Sequence, residues 1–285
     1  MKVKIIVCYH KPGEYISNDI YLPIHVGKSL AKISLPIQGD DIGENISDMN
    51  NLYCELTGLY WAWKNLDADY IGLCHYRRFF TFERNLCRSL IHKVYVKIRN
   101  VKDVFSRHPL SYADTDEIVV KDDGSLYDKA NYASIQIKKY LVKNPQIKIV
   151  ALKPINLGFI NNHIYFSIVA GRFHLDIIRN IIATKYPKLL ENFDKELSSN
   201  KLHFANMTIC SRDIIDDYCT FLFTILEEHR RLVIKEKFYD NLHEKSLSRL
   251  SGYLAEILTS TFISYIKKSH GAKSVKLLTL LRADL

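Results

Sequence analysis

Residues 69–80 read Asp-Tyr-Ile-Gly-Leu-Cys-His-Tyr-Arg-Arg-Phe-Phe. The first half is a short apolar run. The second half turns abruptly into His75, Tyr76, Arg77 and Arg78. A short apolar run with polar ends suits a strand buried on both faces, the kind that parallel sheets use. Ligands of such sheets bind outside the carboxyl ends of the strands. The stretch therefore predicts an α/β fold with a donor-rich cluster at the ligand edge. Two guanidiniums, an imidazole and a phenol there suit an anionic ligand, phosphate above all. Adjacent residues of an extended chain point to opposite faces, so Arg77 and Arg78 are not expected to serve one ligand together. Phe79 and Phe80 are expected in the core.

The chain opens with a similar segment. Val3–Tyr9 is β-branched and apolar and stops at His10-Lys11-Pro12-Gly13, a turn signal. A first strand ending in such a turn commonly meets a nucleotide. Neither Gly-x-Gly-x-x-Gly nor a Walker sequence follows, so the dinucleotide and P-loop readings lose support. Further strands are predicted over 116–121 and 147–152, and 202–210 reads as a segment returning to the sheet. A helix is predicted over 51–65, where Leu52, Leu56, Leu59 and Trp63 recur at helical spacing behind Asn50 or Asn51 as cap. Glu55 sits near its start, where the helix dipole favours an anion. Other helices are predicted around Phe173, Ile177 and Ile181, around Ile214, Tyr218, Phe221 and Ile225, and over 250–266. The last stretch, 267–282, is basic with a Val/Leu run.

Two acidic groups bear on chemistry. Residues 39–47, Gly-Asp-Asp-Ile-Gly-Glu-Asn-Ile-Ser, form a loop that suits a metal or ribose hydroxyls, and equally a solvated turn. Asp122-Asp123-Gly124 follows a predicted strand at the ligand edge, a good place for a divalent metal. Residues 83–108 are basic, with interleaved Leu86, Leu90, Ile91, Val94 and Ile98. That pattern fits an amphipathic helix able to lie on an anionic membrane, or a solvated charged face.

Composition narrows the partners. A net charge of +9 on 285 residues favours anions such as sugar nucleotides, acidic polysaccharide or an anionic membrane. No nucleic-acid motif is present, so nucleic acid is not an expected partner. None of the six cysteines forms Cys-x-x-Cys, which reads as reduced, buried thiols of a cytoplasmic protein. No apolar stretch reaches the length of a membrane span, so membrane contact is expected to be peripheral.

Four stretches carry a family resemblance: Val7-Cys8-Tyr9-His10-Lys11-Pro12; the loop from Gly39 to Ser47; Tyr53-Cys54-Glu55-Leu56-Thr57-Gly58-Leu59-Tyr60-Trp61-Ala62-Trp63-Lys64-Asn65; and residues 69–80. Asn206-Met207 and Gly252-Tyr253-Leu254-Ala255-Glu256 add weaker matches. The chain resembles a bacterial family, long catalogued as a domain of unknown function, found in capsule, O-antigen and exopolysaccharide clusters. Its members are regarded as sugar-nucleotide glycosyltransferases of the GT-A type. The resemblance implies a Rossmann-type, mostly parallel central sheet flanked by helices. A single domain is expected over 1–285, with a nucleotide-sugar-binding core at 1–210 and a helical region at 211–285. It implies transfer of a hexose, such as galactose or galactofuranose, from a uridine diphosphate sugar to a lipid-linked glycan at the inner face of the cell membrane.

The substrate contacts expected on the matched stretches are Tyr9, His10, Lys11, Asp40, Asp41, Asn45, Glu55, His75, Tyr76, Arg77, Arg78, Asn206 and Met207. Glu256, Asp122 and Asp123 are the candidates for a catalytic carboxylate. The leaving diphosphate calls for neutralisation, by manganese or magnesium or by fixed cations such as Arg77 and Arg78, and no metal ligands are assigned. Asp67-Ala68-Asp69 spells the Asp-x-Asp of metal-dependent enzymes of this type, but it precedes its strand and belongs to the amino edge. One departure is that the family pattern carries arginine after Glu256, where this chain has Ile257. A non-catalytic module binding nucleotides or polyanions through the same basic edge is the alternative reading.

Overall fold

The structure is a computed structural model that describes residues 1–84, 98, 117–235 and 249–283. The basic segment 83–108 and its predicted membrane helix fall almost wholly outside the described residues, as does Cys87.

The first four strands, β1 (Val3–Tyr9), β2 (Tyr21–His25), β3 (Gln38–Gly39) and β4 (Tyr70–His75), lie side by side and parallel, in the order β3-β2-β1-β4. Between β3 and β4 runs α1 (Leu56–Asn65), packed on the sheet. Gly58 permits that approach, because a Cβ there would stand 2.8 Å from Val26 Cγ1 and 3.1 Å from Ile6 Cδ1. The helix predicted over 51–65 is not continuous. It breaks at Cys54 (φ 51°), where the Asn50 amide donates to Cys54 O and to Thr57 Oγ1. The break leaves Glu55 at the head of α1.

Past β4 the sheet stops being parallel. β5 (Arg78–Thr81) turns straight back from β4, with His75 opposite Arg78. β6 (Ile118–Val120) leads into α2 (Asp123–Lys143), and β7 (Ile149–Leu152) follows. The short β8 (Ile155–Asn156) and β9 (Lys201–Leu202) pair apart from the main sheet, around α3 (Arg172–Lys185) and α4 (Pro187–Ser198). β10 (Thr208–Ser211), α5 (Arg212–Lys235), α6 (Leu250–Ser269) and β11 (Val275–Ala283) complete the described chain. β10 runs antiparallel to both β4 and β7, and β11 joins β7 to β5. Strands β4, β10, β7, β11 and β5 thereby close a ring beside the parallel half.

The expected mostly parallel, Rossmann-type layout thus holds only for β3-β2-β1-β4, and the sheet as a whole is mixed. The cause is local at β5, where a two-residue connection can only produce an antiparallel neighbour. That turn, Tyr76-Arg77, has none of the Gly or Asn residues that usually announce a hairpin. Region 211–285 also differs from its helical reading, since β11 occupies an interior position of the sheet. Phe79 and Phe80 are fully buried, and both faces of β4 are covered. No described helix is long and apolar enough to cross a membrane.

Two imidazoles meet between α3 and α5: His174 Nδ1 lies 3.0 Å from His229 Nε2, both rings buried. Burial lowers the pKa of both, and the neighbouring ring adds to the effect at His229, which falls from 6.5 to about 3. A base held neutral in this way stabilises the fold above pH 6.5 and loses that contribution as pH falls towards its folded value. Thermal unfolding should therefore show declining stability below pH 6.5. His229→Gln should remove up to about 1.4 kcal/mol per pH unit of that slope.

Candidate active site at the carboxyl edge

The parallel strands deliver their carboxyl ends to one edge. Cys8 of β1 is in register with His75 of β4, and Tyr76 N–H donates to Cys8 O at 3.2 Å. The Tyr76 ring lies 5.9 Å from that of Tyr9 and 5.5 Å from that of His10. Because β10 runs against β4, the residues just before it, Ala205 to Met207, reach the same edge. The heads of α1 and α6 arrive there too, with Arg249 N–H donating to Asn51 O at 3.0 Å.

At the centre is an unusual turn. Ala205 (φ 68°) and Asn206 (φ 53°) are consecutive left-handed residues, and neither is glycine. Such residues cost roughly 1–3 kcal/mol each and persist only where surroundings hold them. Here the holding groups are visible. His75 Nε2–H donates to Ala205 O at 2.9 Å, and Ala205 N–H donates to Glu256 Oε1 at 3.0 Å. The Asn206 amide donates to Glu55 Oε1 at 2.9 Å and to Gly252 O at 3.0 Å. Thr259 Oγ1 closes the set on Asn206 Oδ1 at 3.5 Å and meets the Tyr218 hydroxyl at 2.7 Å.

Donation to a carbonyl fixes the His75 proton on Nε2 and leaves Nδ1 as an acceptor. Burial keeps that ring neutral, lowering its pKa; Glu55 opposes the effect, and Arg78 reinforces it. Glu256 is 5% exposed, and its Oε2 has no hydrogen-bond partner among the described residues. Burial first, then the negative field of Glu55, raises its pKa to about 8, against the pull of Ala205 N–H, Arg78 and Arg249. That shift favours the protonated carboxyl at neutral pH.

These residues lie within a segment that can be placed by comparison. The sequence pattern of the family described as "Domain of unknown function (DUF4422)" matches residues 4–268. The chain belongs to this family. No curated protein matches the sequence. Its fold is similar to that of a solved structure described as an apo WbbM bifunctional glycosyltransferase, with a TM-score of 0.78 and 24% identity. The likeness covers 100% of this chain and 46% of that one, so the chain spans less than half the length of that protein.

In this DUF4422 chain the residues singled out from sequence divide into three groups. His75, Tyr76, Arg78, Glu55, Asn206, Met207 and Glu256 come together at the edge, with Tyr9 and His10 beside them. Tyr9 is buried, its oxygen accepting from Ile16 N–H at 3.0 Å, so it lines the edge from beneath. Lys11 is exposed.

The acidic loop is a second group. Asp40 is fully buried and accepts from Gly27 N–H, Lys28 N–H, Ser47 Oγ and Thr57 Oγ1 at 2.5–3.2 Å. Its carboxylate is consumed in tying the loop to α1. Asp41 pairs with Lys28 at 3.6 Å, and Asn45 bonds within the loop to Gly43 O and Ser47 N–H.

The third group is held by other partners. Asp122 caps α2, accepting from Ser125 N–H at 2.7 Å and Ser125 Oγ at 2.9 Å. Asp123 holds Arg77 at 3.2 Å, and the Arg77 guanidinium lies 5.6 Å from the Tyr76 ring. Asp67 and Asp69 sit at the amino edge against Lys2. Among the described residues no group of three His, Cys, Asp or Glu side chains is arranged to hold a metal ion.

Sequence reading missed Arg249, which supplies a cation near Glu256 from the head of α6, while Ile257 is buried in the core. It also missed the Ala205–Asn206 turn: asparagine tolerates the left-handed region, but the alanine beside it carries no such signal.

Two measurements test these assignments. Asp40→Ala should destabilise the fold by about 3 kcal/mol in urea unfolding, since it strands buried donors, whereas Asp41→Ala should cost under about 1 kcal/mol. For Glu256 the folded pKa is raised, so its contribution is complete below pH 4.5 and is lost as pH climbs through about 8. Stability followed against pH should fall across that window, by up to about 1.4 kcal/mol per unit, and Glu256→Gln should flatten that fall.

Proposed function

We propose that the chain is a glycosyltransferase that moves a hexose from a uridine diphosphate sugar to a lipid-linked glycan acceptor during assembly of a bacterial surface polysaccharide. The work is placed at the cytoplasmic face of the membrane. The observation that carries the proposal is the edge itself. Arg78, Arg249 and His75 meet two carboxyl groups, Glu55 and Glu256, around one rigid turn, at the place where open α/β sheets receive nucleotides. The likeness in fold to a bifunctional glycosyltransferase supports the same reading.

The chemistry follows from the charges. The acceptor oxygen attacks the anomeric carbon, the bond from that carbon to the diphosphate oxygen breaks, and negative charge grows on the leaving phosphate. Arg78 and Arg249 are fixed cations suited to that charge, and the amino end of α6 adds its dipole. The acceptor hydroxyl must lose its proton. Glu55, half-buried and oriented by Asn206, is the carboxylate proposed to take it. Glu256, carrying its own proton, is a donor and a brace rather than a base. Charge neutralisation falls to these arginines.

The test is a nucleotide screen by thermal shift joined to a transfer assay, each with and without manganese. Uridine nucleotides should raise the unfolding temperature, the shift growing with the logarithm of their concentration over Kd. Arg78→Ala should stay folded and lower kcat/KM by about 10²–10³-fold. Binding without sugar transfer or hydrolysis by the unaltered chain would support the non-catalytic module instead.

A further inference from the structure

α2 has two apolar sides. Leu126, Ala130, Ala133, Ile137 and Leu141 are buried. On the opposite side Tyr132 is 62% exposed, Ile135 49% and Val142 58%. Residues 132, 135, 139 and 142 recur at helical spacing and so form one stripe along the helix. Lys138, Lys139 and Lys143 stand along that stripe. Among the described residues no carboxylate pairs with these three lysines, although Asp19 and Asp128 are nearby in the chain and the groove.

The stripe borders a groove of about 810 Å³ between α2 and the loop before β2, lined by Asn18, Ile20 and Ser134 together with the stripe's own Ile135, Val142 and lysines. The loop is tied down, with Asn18 Nδ2 donating to Asn131 Oδ1 at 2.8 Å and Ile5 N–H to Ile20 O at 2.8 Å. Those bonds put the groove at the amino edge of the sheet, opposite the candidate active site.

Exposed apolar side chains with unpaired lysines among them are what an anionic bilayer surface complements. The apolar groups enter the headgroup boundary, lysine stems lie along it, and the ammonium groups meet lipid phosphates. A nucleotide would leave Tyr132 and Val142 unused, and an acidic protein would leave no reason for an apolar stripe of this length. We propose that the exposed face of α2 is a docking surface for a membrane containing anionic phospholipid, with Tyr132, Ile135 and Val142 at the interface and Lys138, Lys139 and Lys143 on the headgroups. The surface deepens the membrane-face setting proposed above. Vesicle binding needs no sugar donor, so failure to dock and failure to transfer are read separately.

The test is flotation of the full chain with phosphatidylcholine vesicles, made with and without phosphatidylglycerol. The unaltered chain should float only with the anionic vesicles and should be released by high salt. The triple variant K138Q/K139Q/K143Q should partition about 100-fold more weakly, and I135S/V142S at least about 10-fold more weakly, both with unchanged circular dichroism. Equal flotation of the triple variant, or no flotation of the unaltered chain with anionic vesicles, would overturn the proposal. So would a concentration-dependent dimer in light scattering that I135S/V142S abolishes, since that would make the face a contact between two copies.

Discussion

Strand β4 has no face and no edge to spare. Its side chains are covered on both sides of the sheet, and a buried backbone must find partners for every N–H and C=O. One edge is satisfied by β1 along its length. The other is shared: Tyr70, Ile71 and Gly72 go to β10, and His75 goes to the hairpin partner β5. The rest of the fold follows from that division. β10 enters antiparallel between β4 and β7, and β11 bridges β7 and β5. The polar residues that end β4 are thereby fixed against segments from the middle and the end of the chain.

The same packing supports the strained turn. Ala205 and Asn206 hold an unfavourable backbone because His75, Glu256, Glu55 and Gly252 each accept or donate at a defined atom. These groups lie on β4, on α6 and at the head of α1, so one turn locks three elements together. A buried network of this kind is stable when every member is satisfied. Glu256 Oε2 is the exception, a buried polar atom with no hydrogen-bond partner among the described residues. The neutral His75 and the protonated Glu256 share one cause, removal from water, which disfavours either charge.

Carboxylates that look alike in sequence have been put to different uses. Asp40 is a knot for a loop, Asp122 a helix cap and Asp123 a partner for Arg77, while Glu55 and Glu256 face the edge. The arginines divide in the same manner. Arg78 stands opposite His75 in the antiparallel pair, so their side chains share a face, whereas Arg77 at the tip of the turn reaches Asp123. Neighbouring residues in the chain therefore belong to different parts of the site.

What depends on local pattern is legible in the residues alone. The apolar runs of β1 and β4, the parallel order they imply, the burial of Phe79 and Phe80 and the amino-edge position of Asp67 and Asp69 all follow from strand length, alternation and chain direction. What depends on distant residues meeting emerges only in the folded chain. It set the antiparallel entry of β10, the return of β11 into the sheet and the break at Cys54. It also placed Arg249 beside Glu256 and split the acidic residues between structure and site. The reason is physical: hydrophobic periodicity is written residue by residue. The charge state of a carboxyl and the handedness of a turn are set by atoms that arrive from as far as 151 positions away, once water has been excluded.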